Sequence, residues 1–140
     1  MKTHLAILYK KYLDLILSGK KTIESRFSKI RSVPYGKVES GDRIIFKESS
    51  GPVRGEASVE KVEYFDNVDI EGVKKIINKY GDDLQLEHDF SNEEEIDTNY
   101  ITLIFLNNVE NIEPYEIKKK DPRPWVVMDG KLQDEFEIKP

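Results

Sequence analysis

The feature of the sequence that most constrains the fold is a nearly continuous apolar stretch at residues 100–113, YITLIFLNNVENIE. Its β-branched, aromatic and aliphatic residues favour a β-strand. A strand that has one face in water alternates apolar with polar residues, whereas this stretch is apolar at successive positions. We therefore predict that it is buried on both faces, in a sheet that curls around a core or is covered on both sides.

Two further segments have the apolar spacing of amphipathic helices. The first is KKYLDLILSG, residues 10–19, in which Gly19 occupies the position of a left-handed C-terminal cap. The second is DIEGVKKIINKYG, residues 69–81, with Asp69 as the predicted N-cap and Gly81 as the predicted C-terminal cap. The apolar residues at helical spacing are Tyr9, Leu13, Ile16 and Leu17, and then Ile70, Val73, Ile76, Ile77 and Tyr80.

The remaining apolar segments are typical of strands, and they mostly do not alternate one for one with helices. This order predicts a single α+β domain across residues 1–140, built on a small, strongly curved sheet or barrel of five to six strands. A bulge is expected near Lys61, which interrupts the alternation of the fourth strand. The other predicted strands lie within residues 3–9, 21–27, 43–48, 49–65 and 125–129.

Cysteine is absent from the sequence, and its only histidines are His4 and His88. These counts exclude disulfides, cysteine-ligated zinc and thiol catalysis, and they leave little from which to build a histidine metal site. We therefore expect no cofactor. No apolar run approaches the roughly 20 residues that cross a bilayer, and no secretory leader is recognisable, so we expect a cytoplasmic protein without a membrane partner.

The net charge of −5 hides an uneven distribution along the chain. Residues 1–61 contain 13 Lys or Arg against 7 Asp or Glu, whereas residues 81–98 contain 8 acids and no Lys or Arg. Outside that acidic segment 22 basic residues face 19 acidic ones, a balance of +3, so the body of the protein is mildly basic. We interpret the segment as a solvated loop, although the acids of HDFSNEEEID, residues 88–97, are also able to bind a hard cation.

The predicted second strand, KTIESRF, is unusually rich in charge. Because successive side chains of a strand point to opposite faces, alternate residues share a face. The charges then have two interpretations: salt bridges on a wet sheet face, which the spacing alone favours, or contacts to a ligand that lies along the strand. The expected faces are Lys20, Thr22, Glu24 and Arg26 on one side, and Lys21, Ile23, Ser25 and Phe27 on the other.

The first helix, this charged strand and the segments that follow resemble the ASCH domain (activating-signal-cointegrator homology) of the PUA-like superfamily. The family signature G-x-K-x-x-E-x-R is complete, in the frequent G-x-K-T form, and the segments VESGDRIIF and GEASVEKVEYF extend the resemblance. It implies a PUA-like β-barrel with two or three flanking helices and a cleft that binds RNA or a nucleotide. The signature residues are Gly19, Lys21, Thr22, Glu24 and Arg26.

The resemblance also implies that the signature side chains line the ligand cleft. Lys21 and Arg26 are able to hold a phosphate or polarise a carbonyl group, while Glu24 is able to accept a base amino group or orient Arg26. A cleft with both signs of charge suits one nucleotide or base better than a long duplex. The other binding residues expected from this stretch are Gly19, Lys20 and Thr22.

Other activities remain open. Some compact ASCH proteins are amidohydrolases of N4-acetylcytidine, with an expected lysine, a threonine nucleophile three positions later and a distant glutamate. Lys21 matches that lysine, but Glu24 occupies the place of the nucleophile, so a catalytic role would rest on Lys21 as a base beside Glu24. A metal-dependent ribonuclease is another alternative, and a protein-interaction module, in which the signature match is incidental, is a third.

Aromatic residues offer candidate stacking surfaces for an unpaired base. Trp125 in DPRPW and Tyr35 in SVPYG are the two ligand-binding candidates, and Tyr35 is expected to be the more exposed. The alternative, which is favoured for each residue taken singly, is that Trp125 closes one end of the barrel and the tyrosines pack between helix and sheet. The cations of KKKDPR, residues 118–123, are expected near the rim of the cleft. The sequence does not distinguish RNA from a free nucleotide or nucleoside, and it does not indicate the oligomeric state. The other aromatic candidates are Tyr9, Tyr64 and Phe65.

Overall fold

The computed structural model describes residues 1–86, 98–119, 121–128 and 136–139. Within these residues the chain forms seven strands and two helices. In chain order they are β1 (Thr3–Leu8), α1 (Lys10–Leu17), β2 (Ile23–Ser28), β3 (Arg43–Glu48), β4 (Val53–Phe65), α2 (Ile70–Leu84), β5 (Tyr100–Lys119), β6 (Trp125–Met128) and β7 (Phe136–Lys139).

The strands form a sheet in the order β2-β5-β4-β3-β1-β6, and β7 pairs with the last residues of β5. β1 and β3 are parallel, and the other pairs are antiparallel. The register between β4 and β5 shifts at several places, one of them between Val59 and Lys61, which confirms the expected bulge. Bulges bend a strand and increase its twist, so they help this sheet to curl.

The curl brings the two ends of the strand order towards each other. Arg26 on β2 donates a hydrogen bond to the main-chain oxygen of Ile7 on β1, and its guanidinium lies over the ring of Trp125 on β6. The result is a half-barrel whose open seam lies between β2 on one side and β1 and β6 on the other. The predicted α+β fold with a small, strongly curved, barrel-like sheet is confirmed.

Residues 101–106 of strand β5 are buried or half-buried on both faces, as the sequence predicts. The prediction is wrong for residues 107–113, which are exposed or half-buried and include the polar side chains of Asn107, Asn108 and Glu110. Ile101 and Leu103 pack with α2, in a cluster that includes Val73 and Leu84. Ile104 and Leu106 instead face the interior of the half-barrel. That interior cluster is closed by α1 and contains Ala6, Leu13, Ile16, Ile44, Phe46, Ala57, Val59, Leu106 and Trp125.

Helix α1 lies very close to β4, and Gly55 makes this approach possible. A Cβ atom at Gly55 would lie 2.4 Å from Leu17 Cδ2 and 2.9 Å from the main-chain oxygen of Glu110. The contact fixes the C-terminal end of α1, so it also fixes where the following signature segment starts. Gly19, just beyond the helix, has a φ of +86°, which confirms the predicted left-handed cap.

Helix α2 begins as predicted but ends later than predicted. Asp69 accepts a hydrogen bond from the Gly72 N–H at 2.8 Å, which confirms the N-cap. The predicted C-terminal cap at Gly81 is wrong: the helix runs on to Leu84, and Gln85 takes the left-handed conformation. Leu84 extends the apolar stripe by one turn and is fully buried, and that burial favours the extra turn. No helix in the described part of the chain is long and apolar enough to cross a membrane.

Candidate functional site

A cavity of about 290 Å³ opens at the seam of the half-barrel, between β2 and the C-terminal end of β1. We call it the seam cleft. Its walls combine charged residues from the signature with apolar and aromatic residues from β1, α1 and the segments after α2 and before β6. The lining residues are Ile7, Leu8, Tyr9, Tyr12, Lys21, Glu24, Ser25, Arg26, Ser49, Leu86 and Pro124.

The backbone between α1 and β2 turns Lys21 into this cleft. Strand β2 begins only at Ile23, so the predicted alternation does not extend to residues 20–22. Instead, the N–H groups of Lys20 and Lys21 both bond the main-chain oxygen of Leu15. The expected grouping of Lys20 and Thr22 with Glu24 is wrong: both are exposed and outside the lining of the cleft, while Lys21 is buried beside Glu24. Gly19 is exposed and does not line the cleft either.

The ammonium group of Lys21 is almost completely removed from water. Its side chain is 1% exposed, its Nζ donates to the main-chain oxygen of Leu84, and the same atom lies 3.7 Å from Glu24 Oε1. Burial lowers the pKa of Lys21, the charge of Glu24 opposes that decrease, and nearby Arg26 adds to it. Lys21 therefore holds its proton less tightly than an ordinary lysine.

The carboxylate of Glu24 lies between the two signature cations. Its Oε1 accepts the Ser25 N–H at 2.9 Å, and its Oε2 accepts Arg26 Nη2 at 3.2 Å. The side chain is only 6% exposed, so the interpretation as salt bridges on a wet sheet face is wrong for this residue. Two cations and one anion are concentrated here, and buried charges of this kind are costly unless they are paired.

Arg26 is the signature cation nearest to solvent. Its side chain is 20% exposed, and Nη2 makes both of its hydrogen bonds, to Glu24 and to Ile7 O at 3.1 Å. Within the described residues, Nε and Nη1 make no hydrogen bond. The guanidinium carbon lies 5.1 Å from the centre of the Trp125 ring, within the distance of a cation–π interaction. The Nε and Nη1 groups of Arg26 are therefore the donors that a ligand could use.

The side chain of Trp125 is buried beneath Arg26 and does not lie on the surface. It is 1% exposed, and its Nε1–H donates to His4 Nδ1 at 3.1 Å. Because Nδ1 accepts, the hydrogen of His4 lies on Nε2, which is 2.8 Å from Asp42 Oδ2. Burial alone would raise the pKa of Asp42, but hydrogen bonds from His4 and two main-chain N–H groups lower it on balance. This buried chain fixes the indole ring, which is not available as an exposed stacking surface.

The aromatic candidates are placed differently from one another. Tyr9 lines the seam cleft and is 72% exposed, so it is well placed to stack on a ligand at the mouth. Tyr35 is half-buried between the rings of Tyr64 and Tyr100, in contrast to the exposed position expected of it. It lines a second cavity, which Arg26 also lines. Phe65 packs in the cluster under α2.

None of the described residues of the cationic segment KKKDPR lines the seam cleft, so the expected position of its cations at the rim is not observed for them, and only the residue that follows the segment reaches the cleft. Pro124 lines the seam cleft, and its main-chain oxygen accepts the Ile7 N–H at 2.9 Å. Arg123 is exposed and pairs with Asp121. Lys120 lies outside the described residues.

The acidic segment, residues 81–98, begins within a helix. Its first residues form the end of α2, where Leu84 accepts the bond from Lys21 and Leu86 lines the cleft. Residues 87–97, which include His88 and all of the acids proposed for a hard cation, lie outside the described residues. In the part of the chain that is described, no group of three or more His, Cys, Asp or Glu side chains is placed to hold a metal ion.

Several lining residues were not identified from the sequence. They come from distant segments that meet only because the sheet curls, and no local pattern marks them. Tyr12 is an exception, because it lies on the helix directly before the signature and its ring centre is 5.6 Å from Lys21 Nζ. Ser25 is another, because it lies within the signature, and its buried hydroxyl makes no hydrogen bond among the described residues. The unmarked residues are Ile7, Leu8, Ser49, Leu86 and Pro124.

A half-barrel with a charged seam, preceded by a short helix and the G-x-K-T-x-E-x-R signature, defines a class of small PUA-like domains. The ASCH domain model matches residues 7–121, so the chain belongs to the ASCH domain family.

The fold also matches solved structures. The crystal structure of ASCH from Zymomonas mobilis has a TM-score of 0.71 and 22% sequence identity, with 95% of this chain and 92% of that chain covered. A tyrosine-to-phenylalanine variant of that protein matches with a TM-score of 0.72 and 21% identity, over 96% of this chain and 95% of that one. These likenesses show a shared fold. No curated protein matches the chain at a significant level.

Proposed function

We propose that this ASCH domain binds RNA or a nucleotide in the seam cleft, with Lys21, Glu24 and Arg26 as its charged contacts. The observation that carries the proposal is the concentration of these three charges, largely buried, along a concave cavity at the open edge of the sheet. The two cations exceed the single carboxylate, so an anionic group of a ligand would balance the site. Family membership supports the same conclusion, because ASCH domains are commonly associated with RNA binding.

The remaining features of the cleft suit a nucleotide. The Nε and Nη1 donors of Arg26 match the oxygens of a phosphate or a base carbonyl. Apolar walls formed by Ile7, Leu8 and Pro124 fit the face of a base, and the exposed ring of Tyr9 adds a stacking surface at the mouth. The cavity lies near the lower end of the range for small-ligand pockets, so it suits one nucleotide unit rather than a duplex.

Glu24 gives the site selectivity. It holds Arg26 through Oε2 and stands near Lys21 through Oε1, so both cations are fixed in place. A carboxylate at this position repels phosphates that enter in the wrong orientation, and it reduces nonspecific binding of long polyanions.

A binding titration with a matched control tests the proposal. Fluorescence anisotropy or calorimetry would compare nucleosides, nucleotides, short single-stranded RNA and duplex RNA on the parent, Arg26→Ala and Arg43→Ala proteins. Arg43 also pairs with a glutamate, Glu56, but it is more exposed and lies outside the cleft. We expect Arg26→Ala to weaken single-strand or nucleotide binding at least tenfold and Arg43→Ala to change it less than twofold. Equal losses in the two variants, or no binding by the parent protein, would refute the proposal.

A second candidate, hydrolysis of an N4-acylated cytidine, is favoured by one observation. Burial lowers the pKa of Lys21 inside the cleft, beside a carboxylate, which is the environment of a lysine that can accept a proton from water. Water would add to the acyl carbonyl, and the products would be cytidine and the carboxylic acid. Glu24 in the position of the expected threonine is the reason that this candidate ranks second.

The test of hydrolysis is separate from the test of binding. Incubation of N4-acetylcytidine with the parent protein should release cytidine if Lys21 is a base, and Lys21→Met should abolish the release. If the protein binds N4-acetylcytidine but releases no cytidine, the proposed binding function stands and the hydrolytic function is excluded.

A further inference from the structure

A second cavity shares part of its wall, including Arg26, with the seam cleft. It has a volume of about 220 Å³, and Arg26 and Pro124 line both it and the seam cleft. We call it the tyrosine cavity, because Tyr35 and Tyr100 form part of its wall. Arg26 thus contributes to the walls of both cavities, and among the described lining residues it is the one cation that they share.

The chemistry of the tyrosine cavity differs from that of the seam cleft. The ring centres of Tyr35 and Tyr100 are 5.1 Å apart at an angle of 74°, which presents an aromatic corner, and Pro34 adds apolar surface. Hydroxyl groups come from Ser32 and Thr102, and none of the described residues that line the cavity is acidic. Aromatic faces with neutral hydroxyls suit the faces and edges of a nucleobase.

A second cation lies against the ring of Tyr35, one of the lining residues of this cavity. The guanidinium of the exposed Arg31 lies 5.2 Å from the centre of the Tyr35 ring. A strand that passes from the seam cleft into the tyrosine cavity would therefore meet Arg26 first and Arg31 afterwards. Cations at intervals along a groove with aromatic surfaces between them are the usual arrangement for a single strand.

We infer that the tyrosine cavity is a second subsite that takes the base next to the nucleotide held in the seam cleft. The phosphodiester between the two bases then lies against Arg26, whose Nε and Nη1 make no hydrogen bond among the described residues. The inference rests on the proposed function, and it narrows the ligand to a single strand of at least two nucleotides. Size supports it: the seam cleft lies at the lower limit of the range for small-ligand pockets and the tyrosine cavity lies below it, whereas the two together fall well within that range.

Matched ligands and variants test the inference. The affinities of a mononucleotide and of a dinucleotide that contains it would be measured on the parent, Tyr35→Leu, Ser32→Trp and Ser40→Trp proteins. Tyr35→Leu removes the aromatic face but retains apolar volume, and Ser32→Trp fills the cavity from an exposed position. Ser40→Trp adds the same ring at an exposed serine that lines neither cavity. Thermal unfolding would confirm that each variant is folded.

We expect the parent and Ser40→Trp proteins to bind the dinucleotide about tenfold more tightly than the mononucleotide, the gain that stacking of one base gives. In Tyr35→Leu and Ser32→Trp that gain should disappear, while mononucleotide affinity stays within twofold. Equal binding of the two ligands by the parent protein would overturn the second subsite and leave the proposed function standing. Binding of neither ligand by the parent would overturn both.

Discussion

Neutralising Glu24 is the perturbation that tests the buried charges most sharply. Its carboxylate lies 3.2 Å from Arg26 Nη2 and 3.7 Å from Lys21 Nζ. With an effective dielectric constant near 20, each attraction is roughly 4–5 kcal/mol before desolvation is counted. Glu24→Gln also removes the cost of burying one charge, so the net loss of unfolding free energy should be about 3 kcal/mol, at the lower end for breaking a buried pair.

The assay is equilibrium unfolding in urea at neutral pH, with Glu56→Gln as the matched control. Glu56 also pairs with an arginine, Arg43, but that pair is considerably exposed, so its loss should cost less than about 1 kcal/mol. The double variant Lys21→Met with Glu24→Gln should recover part of the lost stability, because one of the two buried cations is then gone as well. A Glu24→Gln protein within 1 kcal/mol of the parent would show that these charges are solvated, and the reasoning would fail.

Three further perturbations follow from the structure. Burial lowers the pKa of Lys21 in the folded state below its ordinary value of 10.5, so between the two values the unfolded chain binds more protons than the folded one. The free energy of unfolding should therefore rise with pH from the lowered pKa up to about 10.5. In Lys21→Met this rise should be absent when unfolding free energies are compared across the same pH range. Trp125→Phe removes the indole N–H that donates to the buried His4 Nδ1, and it should lower the free energy of unfolding in urea by about 2 kcal/mol. An unchanged midpoint of urea unfolding would contradict the Trp125–His4 hydrogen bond. Gly55→Ala places a methyl group against Leu17 and the main chain of β5 and should cost about 2 kcal/mol, measured in the same way, whereas a stabilised variant would show that α1 does not approach β4 so closely.

The fold was largely predictable because its strongest signals are local. The apolar run of β5, the Asp69 cap and the interruption at Lys61 each depend on a few neighbouring residues. The cap and the interruption are confirmed, and burial on both faces of β5 is confirmed for residues 101–106. The end of α2 could not be predicted in the same way. Gly81 favours a helix that stops at residue 81, whereas the burial of Leu84 favours one more turn, and that burial depends on tertiary packing.

The site was predictable in its charges but not in its geometry. The signature predicted that Lys21, Glu24 and Arg26 act together, and the structure brings them together at one cleft. Strand alternation placed Lys21 on the wrong face, since the hydrogen bonds to Leu15 that turn the segment are not visible in any spacing rule. The burial of Trp125 follows from the pairing of β6 with β1, which no local pattern encodes.

The most direct test of the central claim is an NMR titration that observes arginine Nε–H signals. Single-stranded RNA or a nucleotide would be added to the labelled protein, with Arg43, whose Nε bonds Glu56, as the internal control. We predict that the Nε–H signal of Arg26 shifts saturably, together with the backbone amides of Leu8 and Ser25, while the Arg43 signal stays fixed. A saturable titration that leaves Arg26 unmoved, or equal movement of both arginines, would contradict ligand binding in the seam cleft.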